Sequence, residues 1–305
     1  MYIKKIMNSV LMIILSFVVV MNLTGCSLGN EKGEVIDVSV FLYKIVNSKG
    51  NYSYLLGTCH PGRNEIKTLD KVTEDSLNES ENIWLEVTLD QSQYNSYAHY
   101  LSDNSIDDMK LTEELDKVKE EYFSLKRYSN IETLNAMALS SYALNDILKD
   151  INGNEMNSID LYIFDYANKK NNFKEIESLE KQFSLFSDIS LQCSNYIMES
   201  LLDREGYIRD SKEFLDAYYS GNRQYFKRNN KLPVTEFKKE AELYQKMLGE
   251  DRNIFMTNEI KSSIEEECIH FFGIGCRHLY GENGIIELLK QDGYDVISMS
   301  SQGGE

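Results

Sequence analysis

Apolar and polar residues alternate in three regimes along this chain. Residues 6–21 form a nearly unbroken apolar run. Two shorter runs, Val38 to Val46 and Tyr52 to Leu56, are separated by the turn formers Asn47-Ser48-Lys49-Gly50-Asn51, which predicts a β-hairpin. Leu69 to Ser80 repeats its apolar positions at helical spacing, and Asn82 to Leu89 (NIWLEVTL) reads as a strand carrying Glu86 and the only tryptophan. From 94 to 150 and from 180 to 267 apolar residues recur at intervals of three and four, the mark of helices. Between these stretches, Asp160 to Ala167 predicts a helix and Phe173 to Leu179 a short strand ending at Glu180; Pro233 stands where a helix can begin. The end of the sequence reads strand (Cys268 to Ile274), turn (Gly275 to Gly284), helix (Ile285 to Gln291), a C-cap at Gly293 and a last strand (Tyr294 to Met299). This order predicts an α/β domain over residues 37–300. Its mixed central sheet comes from both chain ends, and a helical insertion fills about 94–267.

The first residues stand apart from that domain. Lys4 and Lys5 precede the apolar run, which closes at Leu23-Thr24-Gly25-Cys26, the layout of an export signal. The small residues before the cysteine resemble the bacterial lipobox. That resemblance implies a signal peptide over 1–25, lipid on Cys26, a polar tether over 26–36, and a protein anchored on the extracytoplasmic face of the cell membrane. Charge narrows the partners. The net charge is −17, and removing Lys4 and Lys5 takes it to −19. Such acidity argues against nucleic acid and against flat adsorption on anionic lipid, which leaves the lipid as the membrane tether.

Candidate chemistry is concentrated in two matched pieces, Gly57-Thr58-Cys59-His60 and Gly275-Cys276-Arg277-His278. Each is Gly-x-x-His at the end of a strand-like run, and together they hold two of the four histidines. A sheet that brings both strand ends together places two imidazoles in one site. With the strand-borne Glu86 they make a common ligand set for a catalytic divalent metal with an open position: zinc, manganese or cobalt. The glycine three residues before each histidine allows a turn or a close backbone approach. His99 reads as a surface residue and His270 as a structural one. Besides Cys26, the cysteines Cys59, Cys193, Cys268 and Cys276 are too few and scattered for a disulfide framework. Cys59 and Cys276 stand as a disulfide, a thiolate ligand or buried side chains. No His-Glu-x-x-His, Gly-x-Ser-x-Gly or phosphate-binding glycine loop occurs.

Several segments resemble the TraB/GumN family, which includes the Tiki-type metalloproteases. They are Tyr-Leu-Leu-Gly-Thr-Cys-His ending at His60, the strand acid Glu86, Ser178-Leu179-Glu180-Lys181-Gln182, Arg252-Asn253, and Phe-Phe-Gly-Ile-Gly-Cys-Arg-His-Leu-Tyr-Gly-Glu-Asn-Gly-Ile around His278. The resemblance covers about residues 40 to 300. It implies His60 and His278 as metal ligands, Glu86 as third ligand or general base, Glu180 as the second acid, and Arg252 as a guanidinium facing the substrate carbonyl or a site carboxylate. The implied function is metal-dependent hydrolysis of a peptide or protein substrate outside the membrane. The alternatives are a non-catalytic protein that sequesters peptide and an esterase-like hydrolase of small molecules. The sequence departs from the family pattern at Cys59, and at Cys276-Arg277, where small residues are usual. A bulky Arg277 there is expected to narrow the site or to contact substrate.

Overall fold

A computed structural model describes residues 34–62, 66–122, 125–127, 129–152, 158–228 and 233–300. The expected signal peptide and Cys26 lie outside the described residues. Among the described residues no helix is long and apolar enough to cross a membrane.

The protein is α/β. Eight strands are described: β1 (Glu34–Ile36), β2 (Leu42–Val46), β3 (Tyr52–Thr58), β4 (Ile66–Leu69), β5 (Asn82–Leu85), β6 (Phe173–Glu175), β7 (His270–Gly275) and β8 (Asp295–Ser298). Six form one mixed sheet in the order β6-β5-β7-β3-β2-β8, and β1 and β4 form a separate parallel pair. The strand β1 takes up the end of the segment expected to be a tether, so that segment stops short of Glu34. The predicted hairpin is β2–β3, paired from Val46↔Tyr52 to Leu42↔Leu56. Its tight turn has Gly50 at φ +87°, a conformation that favours glycine.

The four strands β6, β5, β7 and β3 are neighbours and run parallel. Their interior residues Leu55, Leu56, Ile83, Leu85, Phe271, Phe272 and Ile274 are buried, as expected of parallel strands covered on both faces. Phe271 and Phe272 are fully buried, and each contributes roughly 2–3 kcal/mol through the apolar area withdrawn from water.

The helices are α1 (Lys71–Glu79), α2 (Thr112–Glu121), α3 (Ala136–Asn152), α4 (Ile159–Lys170), α5 (Leu179–Leu201), α6 (Arg204–Tyr219), α7 (Arg223–Arg228), α8 (Lys238–Gln245), α9 (Asp251–Ile264), α10 (Cys276–Leu279) and α11 (Ile285–Gln291). Polar residues cap the starts of several: Asp70 accepts from Thr73 N, Ser158 from Leu161 N and Ser178 from Lys181 N. The expected helical insertion is interrupted, since β6 belongs to the sheet and α4 packs on β5 and β6. The remaining helices pack mostly on one another, α3 with α5 and α6, and α5 with α8. Cys59, Cys193 and Cys276 are buried and form no disulfide, which removes the disulfide reading for Cys59 and Cys276.

Candidate functional site

Parallel strands deliver side chains to one edge of a sheet, at the loops beyond their C-terminal ends. Here each of the four parallel strands delivers one. His60 follows β3, Glu86 follows β5, Glu177 follows β6, and His278 follows β7 on the one-turn helix α10. All four are buried. The backbone keeps them in step: Thr58 pairs with Gly275, and Glu177 N donates to Glu86 O at 2.8 Å.

A guanidinium ties the acids together. Arg252 Nε and Nη2 donate to Glu177 Oε2 at 2.9 and 2.7 Å, and Nη2 donates to Glu86 Oε2 at 2.6 Å. The other Glu86 oxygen accepts the Gly275 N–H at 2.6 Å. Gln182 Nε2 donates to Glu177 Oε2 at 3.2 Å, while Lys181 Nζ stands 3.7 Å from Glu177 Oε1. Arg252 and Asn253 open α9 directly after a π-helical turn, Lys246–Glu250, which joins it to α8. The turn shifts the phase of the helix just before the two residues that reach the site.

Each histidine has a polar partner beside Nδ1. His278 Nδ1 lies 2.6 Å from Asn253 Oδ1, and Asn253 Nδ2 is itself anchored on Asn283 O at 2.8 Å. Because Asn253 Oδ1 only accepts, the His278 proton sits on Nδ1 and Nε2 keeps its lone pair, 3.3 Å from Arg252 Nη1. His60 Nδ1 lies 2.9 Å from Asp160 Oδ2, and Thr58 Oγ1 donates to Asp160 Oδ1 at 2.7 Å. His60 Nε2 is buried with no hydrogen-bond partner among the described residues. A Cβ built on Gly275 would stand 3.0 Å from Glu86 Oε1 and 3.6 Å from both His60 Nε2 and His278 Cδ2. The three side chains therefore surround one small space over Gly275. Gly275→Ala is expected to destabilise the protein by about 1–3 kcal/mol, because the methyl group is forced against Glu86. A thermal melt of the variant checks this.

Burial and charge push the two imidazoles apart. Burial alone would lower the His60 pKa, but Asp160 outweighs it and the net shift is upward. For His278 burial wins over Glu86, and its pKa falls to about 4. Burial would raise Glu86, yet Arg252, followed by the two histidines, brings it down to about 2. In the metal-free protein the His60 ring is expected to titrate above the ordinary histidine range, and His278 to stay neutral until about pH 4. NMR pH titration of the imidazole signals checks the order; coincident titration near the ordinary value would contradict it.

Two imidazoles and a buried carboxylate are the donor types of a divalent metal centre, with His60 Nε2 open and His278 Nε2 facing Arg252 Nη1 at 3.3 Å. The ligand atoms of His60, Glu86 and His278 are not all gathered within 4.8 Å, and Arg252 stands between Glu86 and His278. Among the described residues, Glu266, Cys268 and His270 form a group that could hold a metal ion, with one ligand atom each within 4.8 Å of the others. This group lies at the opposite end of β7 from His278. There His270 Nδ1 accepts the Trp84 Nε1–H at 3.1 Å, so the ring proton sits on Nε2, facing Cys268 Sγ at 3.3 Å. A metal at that nitrogen would have to displace this proton.

The structure brings together His60, Glu86, His278 and Arg252, four of the residues singled out from sequence. It does not bring Glu180, which is exposed on the first turn of α5. The acid bonded to Arg252 is Glu177, which directly precedes the Ser178 cap. Sequence reasoning also missed Asp160. An acid in the first turn of a helix is the ordinary partner of the helix dipole, and this masked its contact with His60.

No curated protein and no solved structure matches this sequence. Residues 41–297 match the TraB/PrgY/gumN family. The match covers most of the sequence, including all four strand-end residues and Arg252, so the protein belongs to the TraB/PrgY/gumN family.

Proposed function

We propose that this protein is a metal-dependent peptide hydrolase, held by lipid on the outer face of a membrane. The observation that carries the reading is the buried, unpartnered Nε2 of His60, placed with Glu86 and His278 around Gly275. His60, His278 and Glu86 would hold a divalent ion (zinc, manganese or cobalt), which when bound supplies a water of lowered pKa and a Lewis acid. Asp160 and Asn253 fix the two imidazoles so that Nε2 of each is the binding atom. Both oxygens of Glu86 are engaged and its carboxyl is held at about 2, which suits a ligand and makes a poor base. Among the described residues, both Arg252 bonds to Glu177 fall on Oε2, and Oε1, with Lys181 Nζ at 3.7 Å, is the oxygen that would serve as the general base. Arg252 directs positive charge at the same space, where an oxyanion would develop.

The test is mass spectrometry of a mixed peptide pool incubated with protein supplied in turn with zinc, manganese and cobalt. New fragments support hydrolysis. Binding without cleavage is the second reading, and one observation favours it: Arg252 already holds Glu86 and the lone pair of His278. Peptides removed from solution with unchanged mass would establish that reading instead.

A further inference from the structure

Arg277 is the one residue of the second Gly-x-x-His piece that the site leaves unexplained. It lies between Cys276, which packs over Gly57, and His278. Its guanidinium is stacked on an aromatic wall from α6 and α7, with its carbon 4.7 Å from the centre of the Phe214 ring and 5.7 and 6.0 Å from those of Tyr225 and Phe226. The same wall reaches the other histidine, since Tyr219 Oη donates to Pro61 O, directly after His60. The guanidinium has five N–H donors. One makes a long bond, 3.5 Å, to Tyr225 Oη, and the buried Nε has no partner among the described residues. No carboxylate among the described residues pairs with Arg277. Asp210 and Glu213 of α6 are near enough to act on Tyr225, but neither forms an ion pair with Arg277. Arg252, by contrast, is buried and has two acids, whereas Arg277 is half-buried.

Buried charges in proteins are paired, and an unpaired one carries a desolvation cost. Stacking on Phe214 recovers part of that cost through the ring face. It leaves the in-plane donors open, and these are the atoms that bind a carboxylate side-on. We propose that Arg277 is a carboxylate-binding subsite beside the histidine pair, so that the peptide taken by this site carries a carboxylate next to the segment lying over Gly275. This rests on the peptide reading of the site and names the chemistry of its substrate. Two sources share that chemistry, an acidic side chain and the C-terminal end of a peptide.

The experiment uses protein labelled with ¹⁵N at arginine and follows the Nε–H signal of Arg277, assigned by its disappearance in Arg277→Lys. The probes are N-acetyl-glutamate amide (an acidic residue's carboxylate), N-acetyl-glycine (terminal carboxylate) and N-acetyl-glycine amide (neutral). A saturable shift with at least one carboxylate probe, and none with the neutral probe, is expected. Thermal-shift titration of Arg277→Gln should show binding weakened by about 10-fold or more, the loss of a charged hydrogen bond, with Arg277→Lys retaining part of it. Which carboxylate probe binds more tightly identifies the source. If no carboxylate probe shifts the Nε–H signal, or if Arg277→Gln folds by circular dichroism and binds the probes as the parent does, the proposal is overturned. Should Arg277→Gln fail to fold, the Nε–H titration of the parent protein decides alone. Probe binding without peptide cleavage would count against hydrolysis and leave the subsite standing; cleavage without probe binding would do the reverse.

Discussion

Arg252→Met is expected to destabilise the protein by about 3–5 kcal/mol, the usual cost of breaking a buried ion pair from one side. Methionine fills much of the same volume, so the loss is mainly electrostatic. Glu86 and Glu177 are both buried, and Arg252 is bonded to both. Removing the cation leaves two carboxylates in one dry space, and at least one must then take up a proton. The sign of the pH dependence follows. In the parent protein Glu86 is depressed from its ordinary value of 4.5 to about 2. Its contribution to stability is therefore complete above about 4.5 and is lost as pH falls towards 2. In Arg252→Met that contribution disappears at neutral pH, and the variant's deficit should shrink as the pH is lowered through this window. Urea unfolding of both proteins at several pH values between neutrality and acid checks the prediction. A deficit constant across pH would mean that packing, and not charge, is what Arg252 supplies.

The second large effect is on metal. His278→Ala is expected to abolish binding of the divalent ion, with His60→Ala behaving alike, because two ligands of three cannot hold it in a site this small. Elemental analysis of parent and variants after exposure to zinc, manganese and cobalt, followed by desalting, measures it. About one ion per protein molecule in the parent and none in either variant is the expected result. One ion per molecule in all three would transfer the metal to Glu266, Cys268 and His270, and Cys268→Ser would then remove it. Protein without metal in every case would favour sequestration over hydrolysis.

The parts of the fold that were legible in the sequence are those where local pattern and tertiary demand agree. The hairpin Leu42–Thr58 could be read because Asn47–Asn51 holds turn residues and both flanks are apolar. The strand β7 could be read because Phe-Phe-Gly-Ile-Gly is too apolar and too short for anything but a buried strand. Elsewhere the agreement fails. The predicted strand Val38–Val46 begins as a 3₁₀ turn over Ser39–Phe41, since Asp37 accepts from the Ser39 N–H and bends the backbone there. The predicted strand over Asn82–Leu89 ends at Leu85, directly before Glu86, whose side chain bonds Gly275 and Arg252. In the site, His60 and His278 were visible because they share one local pattern. Asp160 and Glu177 were not, because each sits at a helix start, where acids are common for reasons that have nothing to do with chemistry. Their roles come from contacts between distant segments, Asp160 with Thr58 and Glu177 with Arg252.

The strand order has a consequence for the time at which the site exists. The strand β7 lies between β5 and β3, although it follows both of them far along the sequence. Without it the six-stranded sheet falls into a β5–β6 pair and a β2–β3 hairpin, with the last strand, β8, still to come. His60, Glu86 and Glu177 would then sit on fragments with no common edge, and His278 would be absent. A polypeptide emerging N-terminus first cannot gather these groups before β7 has been made. The four groups share one edge only when β7 pairs with β5 on one side and β3 on the other.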